Sequence, residues 1–263
     1  MPQTVSQKII ARHGGGDNPQ PGDIVWVDID FRSARDFGGP NVVKNLREKY
    51  QADYIADPAR TAFTFDTNAP ANTIAYAENQ HICRTFARSQ GVPVYDVNLG
   101  IGTHIALEKG LVLPGETAVG TDSHYNILGA IGAFGQGMGD QDIAFIFKTG
   151  KTWFSVPETI RIDLKGKLPE GTTARDLTLK VVGTLGTSRA LGKCVEFYGE
   201  AVDAYNRAAW NRAWYYPAHK ALAQIACRRG DFARALHHVD EALTANARAT
   251  RAMALRAGIL RRL

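Results

Sequence analysis

The chain has 263 residues, 44% hydrophobic and 22% charged, enough for one large or two smaller domains with a sizeable apolar core. Its formal charge of +5 is unevenly spread: residues 205–263 hold 11 lysines and arginines against 3 acids, so the tail is about +8 and the rest about −3. No run of 18 apolar residues and no secretory h-region is present, and Cys83, Cys194 and Cys227 are scattered outside any C-x-x-C pair, which argues against a membrane span, a leader and a disulfide framework and for a cytoplasmic protein.

Taken in chain order, short β-branched runs alternate with helical stretches up to residue 204. Strands are expected over 23–30 (DIVWVDID), 61–66 (TAFTFD), 92–97 (VPVYDV), 116–121 (ETAVGT), 159–164 (TIRIDL) and 193–199 (KCVEFYG). Helices are expected over 40–50, 71–91, 125–134, 141–151 and 173–186, the last opened by Thr173 and Asp176 and closed by Gly186. This alternation predicts a layered α/β domain with a largely parallel sheet over residues 1–204. From residue 205 onward the strands stop and 16 of 59 residues are alanine. The spacing of Leu222, Phe232, Ala235, Val239 and Leu243 around Gly230-Asp231 predicts an all-α helical-hairpin tail over 205–263. Its arginines spread around helical turns without interleaved aromatics, the pattern of a solvated helix surface rather than of nucleic-acid binding.

The stretch AVGTDSHYNILGAIGAFGQGMGDQD (118–142) sets Asp122, Ser123 and His124 where an expected strand turns toward a helix, the place where open α/β sheets bind ligands. Gly129, Gly132, Gly135, Gly137 and Gly139 follow; they do not form a G-x-G-x-x-G fingerprint and instead suit turns or close backbone approach. Ser123 lacks the flanking glycines of a nucleophile elbow. His104, in GIGTHIALEKG, reads as a second histidine in a glycine-flanked loop at a strand end. Two histidines beside an aspartate point to proton transfer or metal binding.

Four segments, SQKIIARHGG, GIGTHIALEKGLVLPGETAVGTDSHYNILGAIGAFGQGMG, TGKTWFSVPETIRIDLKGKL and KCVEFYGEAVD, resemble in order and spacing the N-terminal half of the aconitase superfamily, nearest the large subunit of 3-isopropylmalate dehydratase. The resemblance implies a hydro-lyase that removes and re-adds water on a hydroxy-dicarboxylate, interconverting 2- and 3-isopropylmalate in leucine biosynthesis. It also implies a [4Fe-4S] cluster acting as Lewis acid and a small subunit that completes the site. By position, His104, Asp122, His124 and Asp66 match groups that handle protons and hydrogen bonds around the leaving hydroxyl. Glu196 matches a glutamate of the site, and Ser123 is implied to contact substrate or cluster.

The sequence departs from that pattern in three ways. Thr67 follows Asp66 where the family has histidine, which removes a titrating group. Tyr125 and Asn126 replace small hydroxyl residues and are expected to reshape the pocket. The family's cluster-binding cysteine segments have no counterpart in this chain, so no metal ligand is assigned. The tail itself resembles a tetratricopeptide unit, without that repeat's tyrosine and proline, and is expected to bury little alone. An alternative to an enzyme is therefore an inactive fragment that binds a protein partner through this tail.

Overall fold

A five-stranded parallel sheet organises the first of two units in the computed structural model. The structure describes residues 3–166, 169, 171–186, 188–199, 219–220, 223, 226–227, 231–245 and 249–262, divided into Met1–Thr159 and Ile160–Leu263. The division expected after residue 204 lies outside the described residues, and the observed one comes earlier.

The first unit runs α1 (Val5–Ile10), β1 (Ile24–Asp28), β2 (Phe31–Arg35), α2 (Gly39–Glu48), β3 (Thr61–Thr64), α3 (Ile74–Gln90) and β4 (Val94–Tyr95). It continues through α4 (Gly102–Glu108), β5 (Thr117–Gly120), a 3-10 helix (Tyr125–Ile131), β6 (Phe134–Gly137), α5 (Asp140–Thr149) and β7 (Lys151–Ser155). The sheet order is β4-β3-β2-β5-β6, and each neighbouring pair is parallel. Every residue of β3 and of β5 is buried, as in a parallel sheet covered on both faces. β1 and β7 form a separate antiparallel ribbon.

Apolar packing explains the layer above the sheet. Val42, Val43 and Leu46 on α2 and Ile143, Ala144, Ile146 and Phe147 on α5 belong to one core with Phe63, Phe65 and Phe86. Phe63 meets Phe86 and Phe147 edge-on, with ring centroids at 6.3 and 5.9 Å, the geometry that the aromatic quadrupole favours. α3 starts where Thr73 Oγ1 accepts from Tyr76 N and stops at Gly91, whose φ of +67° is left-handed.

Three strands escaped the sequence pattern. β2 carries two arginines; Arg32 is buried, donating to the carbonyls of Ile29 and Asp57 and to Thr61 Oγ1, and burial above all lowers its pKa. β7 was not expected either. β6 occupies the end of an expected helix over 125–134: the 3-10 helix ends at Gly132, whose φ of +74° is left-handed, and the chain then re-enters the sheet beside β5. Gly137 on β6 lies so close that a Cβ there would sit 2.5 Å from the Asp122 carbonyl oxygen, which is the close approach expected of these glycines.

In the second unit, β8 (Thr159–Asp163, begun at the last residue of the first) pairs with β9 (Cys194–Tyr198). Between them lies α6 (Ala174–Leu185), opened by a capping box of Thr173 and Asp176. No residue of α6 is buried. The tail contains α7 (Phe232–Ala245) and α8 (Thr250–Leu260), which pack through Ala235, Val239, Ala252 and Ile259 together with Ala223 and Ala226. Asp231 caps α7, accepting from Arg234 N at 3.0 Å; Gly230 lies outside the described residues. The described part of the tail is helical, while the turn at Gly230 and Leu222 ahead of it lie outside the described residues.

Candidate active site

The sheet order places its switch point between β2 and β5: from β2 the chain steps outward to β3 and β4, then returns to β5 and β6 on the other side. All five strands end on the same side, so the segments that follow β2, β3 and β5 emerge together, where such sheets hold ligands.

Arg35, the last residue of β2, joins two of those segments. Its Nε donates to Asp66 Oδ1 at 2.6 Å, just past β3, and its Nη1 pairs with Asp122 Oδ1 at 3.1 Å, just past β5. The side chains of Asp66 and Asp122 are 2% and 3% exposed and that of Arg35 22%. Two carboxylates this deep need a cation between them, since burial of an unpaired charge costs several kcal/mol, about 3–5 when one partner is removed. Asp66 spends its other oxygen on Gly102 N at 2.6 Å, the first residue of α4, where a negative charge offsets the helix's unpaired amides.

His104 sits in the first turn of α4 and is exposed. It is therefore on a helix, and not in the loop at a strand end that the sequence suggested. The cause is Asp66: its carboxylate organises the first helical turn that ILE-GLY-THR-HIS (101–104) alone would not announce.

Asp122 also fixes His124. Asp122 Oδ1 accepts from the His124 backbone N and lies 3.0 Å from its ring Nδ1. A carboxylate only accepts, so Nδ1 carries the hydrogen in the neutral ring and Nε2 carries the lone pair. The His124 side chain is 81% exposed, so the imidazole is held at its base and open at its tip. Ser123 beside it is exposed. The site thus presents an oriented proton acceptor and a hydroxyl above two fixed carboxylates.

The other candidates divide. Glu196 belongs to the second unit, half-buried on β9, where the Tyr198 hydroxyl donates to its Oε2 at 2.5 Å; that bond is the main reason the Tyr198 pKa is raised. Thr67 is exposed, and its backbone N donates to Asp36 Oδ1 at 3.2 Å. Tyr125 turns inward: its ring is buried against Gly120, and its hydroxyl shares a 2.5 Å hydrogen bond with Ser33. Burial drives that phenol's pKa well upward, more than the Ser33 bond lowers it.

Sequence reasoning missed Arg35 and its neighbour Asp36. Asp36 is fully buried and accepts from Thr67 N and from Gln80 Nε2 at 3.0 Å, so it moors the segment that carries Asp66. The signal was the pair Arg35-Asp36 one residue ahead of Gly38-Gly39-Pro40, charged residues ending a strand at a turn.

The three cysteines are free thiols. Cys83 lies in the core, where burial pushes its thiol up to about 12, the opposite of what a thiolate ligand needs. Among the described residues no group of three or more His, Cys, Asp or Glu side chains could hold a metal. The donors among the described residues do not fit the cluster implied by the resemblance.

A family model described as Aconitase family (aconitate hydratase) matches residues 7–209. The chain belongs to the aconitase family. A probable 3-isopropylmalate dehydratase large subunit of Methanothermobacter thermautotrophicus is 44% identical over 203 residues, 77% of this chain and 48% of that protein. The 3-isopropylmalate dehydratase large subunit 1 of Methanopyrus kandleri is 41% identical over the same shares. A probable methanogen homoaconitase large subunit of M. thermautotrophicus is 39% identical over 76% of this chain and 48% of its own length. The chain spans about half the length of the curated relatives it matches. No helix among the described residues is long and apolar enough to cross a membrane.

Proposed function

We propose that this aconitase-family chain carries the acid–base portion of a hydro-lyase site for a hydroxy-dicarboxylate of the isopropylmalate class. The observation that supports the reading is the Arg35–Asp66–Asp122–His124 network at the switch point. In this proposal His124 Nε2 exchanges the proton of the departing or returning water, Ser123 hydrogen-bonds the substrate, and His104 serves as a second proton-handling group. Asp122 and Asp66 orient, and Glu196 joins by its motif position.

Acid–base groups supply about 10²–10⁴-fold. The rest of the rate is assigned to partner chains: a small subunit, and a chain bearing the thiolate ligands of the iron–sulfur cluster that the family resemblance implies. A cytoplasmic setting in leucine biosynthesis belongs to the same proposal. The test is formation of the unsaturated acid from 2- or 3-isopropylmalate by the full chain, alone and with those partners supplied anaerobically. Turnover is expected with partners and to fall at least about 10²-fold in His124→Ala; no turnover, or turnover indifferent to that change, retires the proposal.

A second reading, an inactive fragment with a tetratricopeptide-like tail that docks a protein, is favoured by the shallow groove that Leu243, Met253 and Leu260 line on α7 and α8. Substrate turnover by a chain that captures no protein partner removes it.

A further inference from the structure

Away from the sheet, the tail brings together three histidines that the proposed reaction does not use. His219 Nδ1 lies 3.3 Å from His238 Nδ1, with the ring centroids 5.2 Å apart and the planes tilted by 60°. His237 lies beside His238, centroids 5.3 Å apart, and is exposed while the other two are half-buried.

We propose that His219 and His238 form a two-imidazole site for a divalent cation with tetrahedral preference, zinc being the natural occupant. Imidazole nitrogens bind zinc at about 2.0–2.1 Å, and two such nitrogens 3.3 Å apart subtend about 107° at the metal, close to the tetrahedral angle. An octahedral or square-planar ion, at 90°, needs them nearer 2.9 Å by the same estimate of bond length. Without metal the two Nδ1 atoms share one proton in a hydrogen bond; the cation takes its place.

Burial, then the charges of His219, His237 and Arg234, lower the His238 pKa, against an opposing contribution from Asp231. That direction favours the unprotonated His238 ring, the form that ligates a metal. The pair supplies two ligands and water the other two, and the bound ion fastens the segment at residue 219 to α7.

The test uses the full chain and cobalt(II) as probe. One saturable site with visible d–d absorption of tetrahedral intensity, bleached by added zinc, is expected. His219→Asn and His238→Asn should each weaken binding at least about tenfold, since even lost support of a ligand costs 10–100-fold, while His237→Asn stays within about twofold of the wild type by the same scale. A second measurement needs no variant: zinc should protect His219 and His238, but not His237, from acylation by diethyl pyrocarbonate. Absence of saturable binding, binding unchanged in the double variant, or equal acylation of all three rings overturns the proposal.

Discussion

The carboxyl end of the parallel sheet and helix α6 both carry charged side chains, yet they are built in opposite ways. At the sheet, Arg35, Asp66 and Asp122 are drawn into a nearly dry network in which one guanidinium holds two carboxylates and one carboxylate holds a histidine and a second guanidinium bond. On α6 no residue is buried, and Leu179 and Val182 face outward. The contrast teaches that removing one partner from an enclosed charge network is costly whereas a change on an open helix face is not, so a substitution's cost should follow enclosure.

The largest effect is expected from Arg35→Met. It leaves two buried carboxylates uncompensated and should cost the first unit about 3–5 kcal/mol, measured by urea unfolding followed through Trp26 and Trp153 fluorescence. A loss as small as that of a surface substitution would dissolve the contrast. Next comes Gly137→Ala, whose Cβ would press on the Asp122 carbonyl and on Ser123 Cα at 2.9 Å. About 1–3 kcal/mol is expected from overpacking, read as a lowered midpoint in the same unfolding curve. Tyr125→Phe strands the Ser33 hydroxyl in the core and should cost about 1–3 kcal/mol without altering the exposed His124 resonances in a proton spectrum.

A smaller, pH-dependent effect belongs to the rim. Arg84 donates two hydrogen bonds to Asp96, at 2.8 and 2.7 Å, and that bonding is the main cause of the lowered Asp96 pKa. A depressed carboxylate stabilises the folded chain fully above the ordinary aspartate range and loses that contribution as pH falls through the lower folded-state value. Because both side chains are over a third exposed or nearly so, Asp96→Asn should cost under about 1 kcal/mol at pH 7, and the difference from wild type should vanish in acid denaturation curves near pH 2. The smallest change is Leu179→Ala on α6, within about 0.5 kcal/mol of wild type; a large loss would mean that α6 contributes burial to the folded chain.

Much of this was readable in advance. The expected strands at 61–66, 92–97, 116–121 and 193–199 each contain an observed strand, because β-branched runs bounded by turn residues have few other uses. β2 was not readable, since Arg32 and Arg35 look like surface residues until neighbouring strands supply carbonyls and carboxylates to receive them. The β6 strand was hidden in glycines and helix formers, and only the edge of β5 makes FGQG (134–137) a strand. Of the site, Asp122, Ser123 and His124 stand side by side in sequence and were visible; Arg35 lies 87 residues from Asp122 and was not.

By itself, the sequence determined the local matters: the caps of α3 and α6, the alternation that makes an α/β domain, and the motif that marks aconitase-family membership. These depend on neighbours a few residues apart. Tertiary structure alone decided that Asp66 and Asp122 share one arginine, that Asp66 caps α4 and so puts His104 on a helix, and that Tyr125 turns inward to Ser33. The reason is that a buried charge or hydroxyl is tolerable only beside a partner, and such partners are brought together by sheet order, across distances in the chain that no local pattern records.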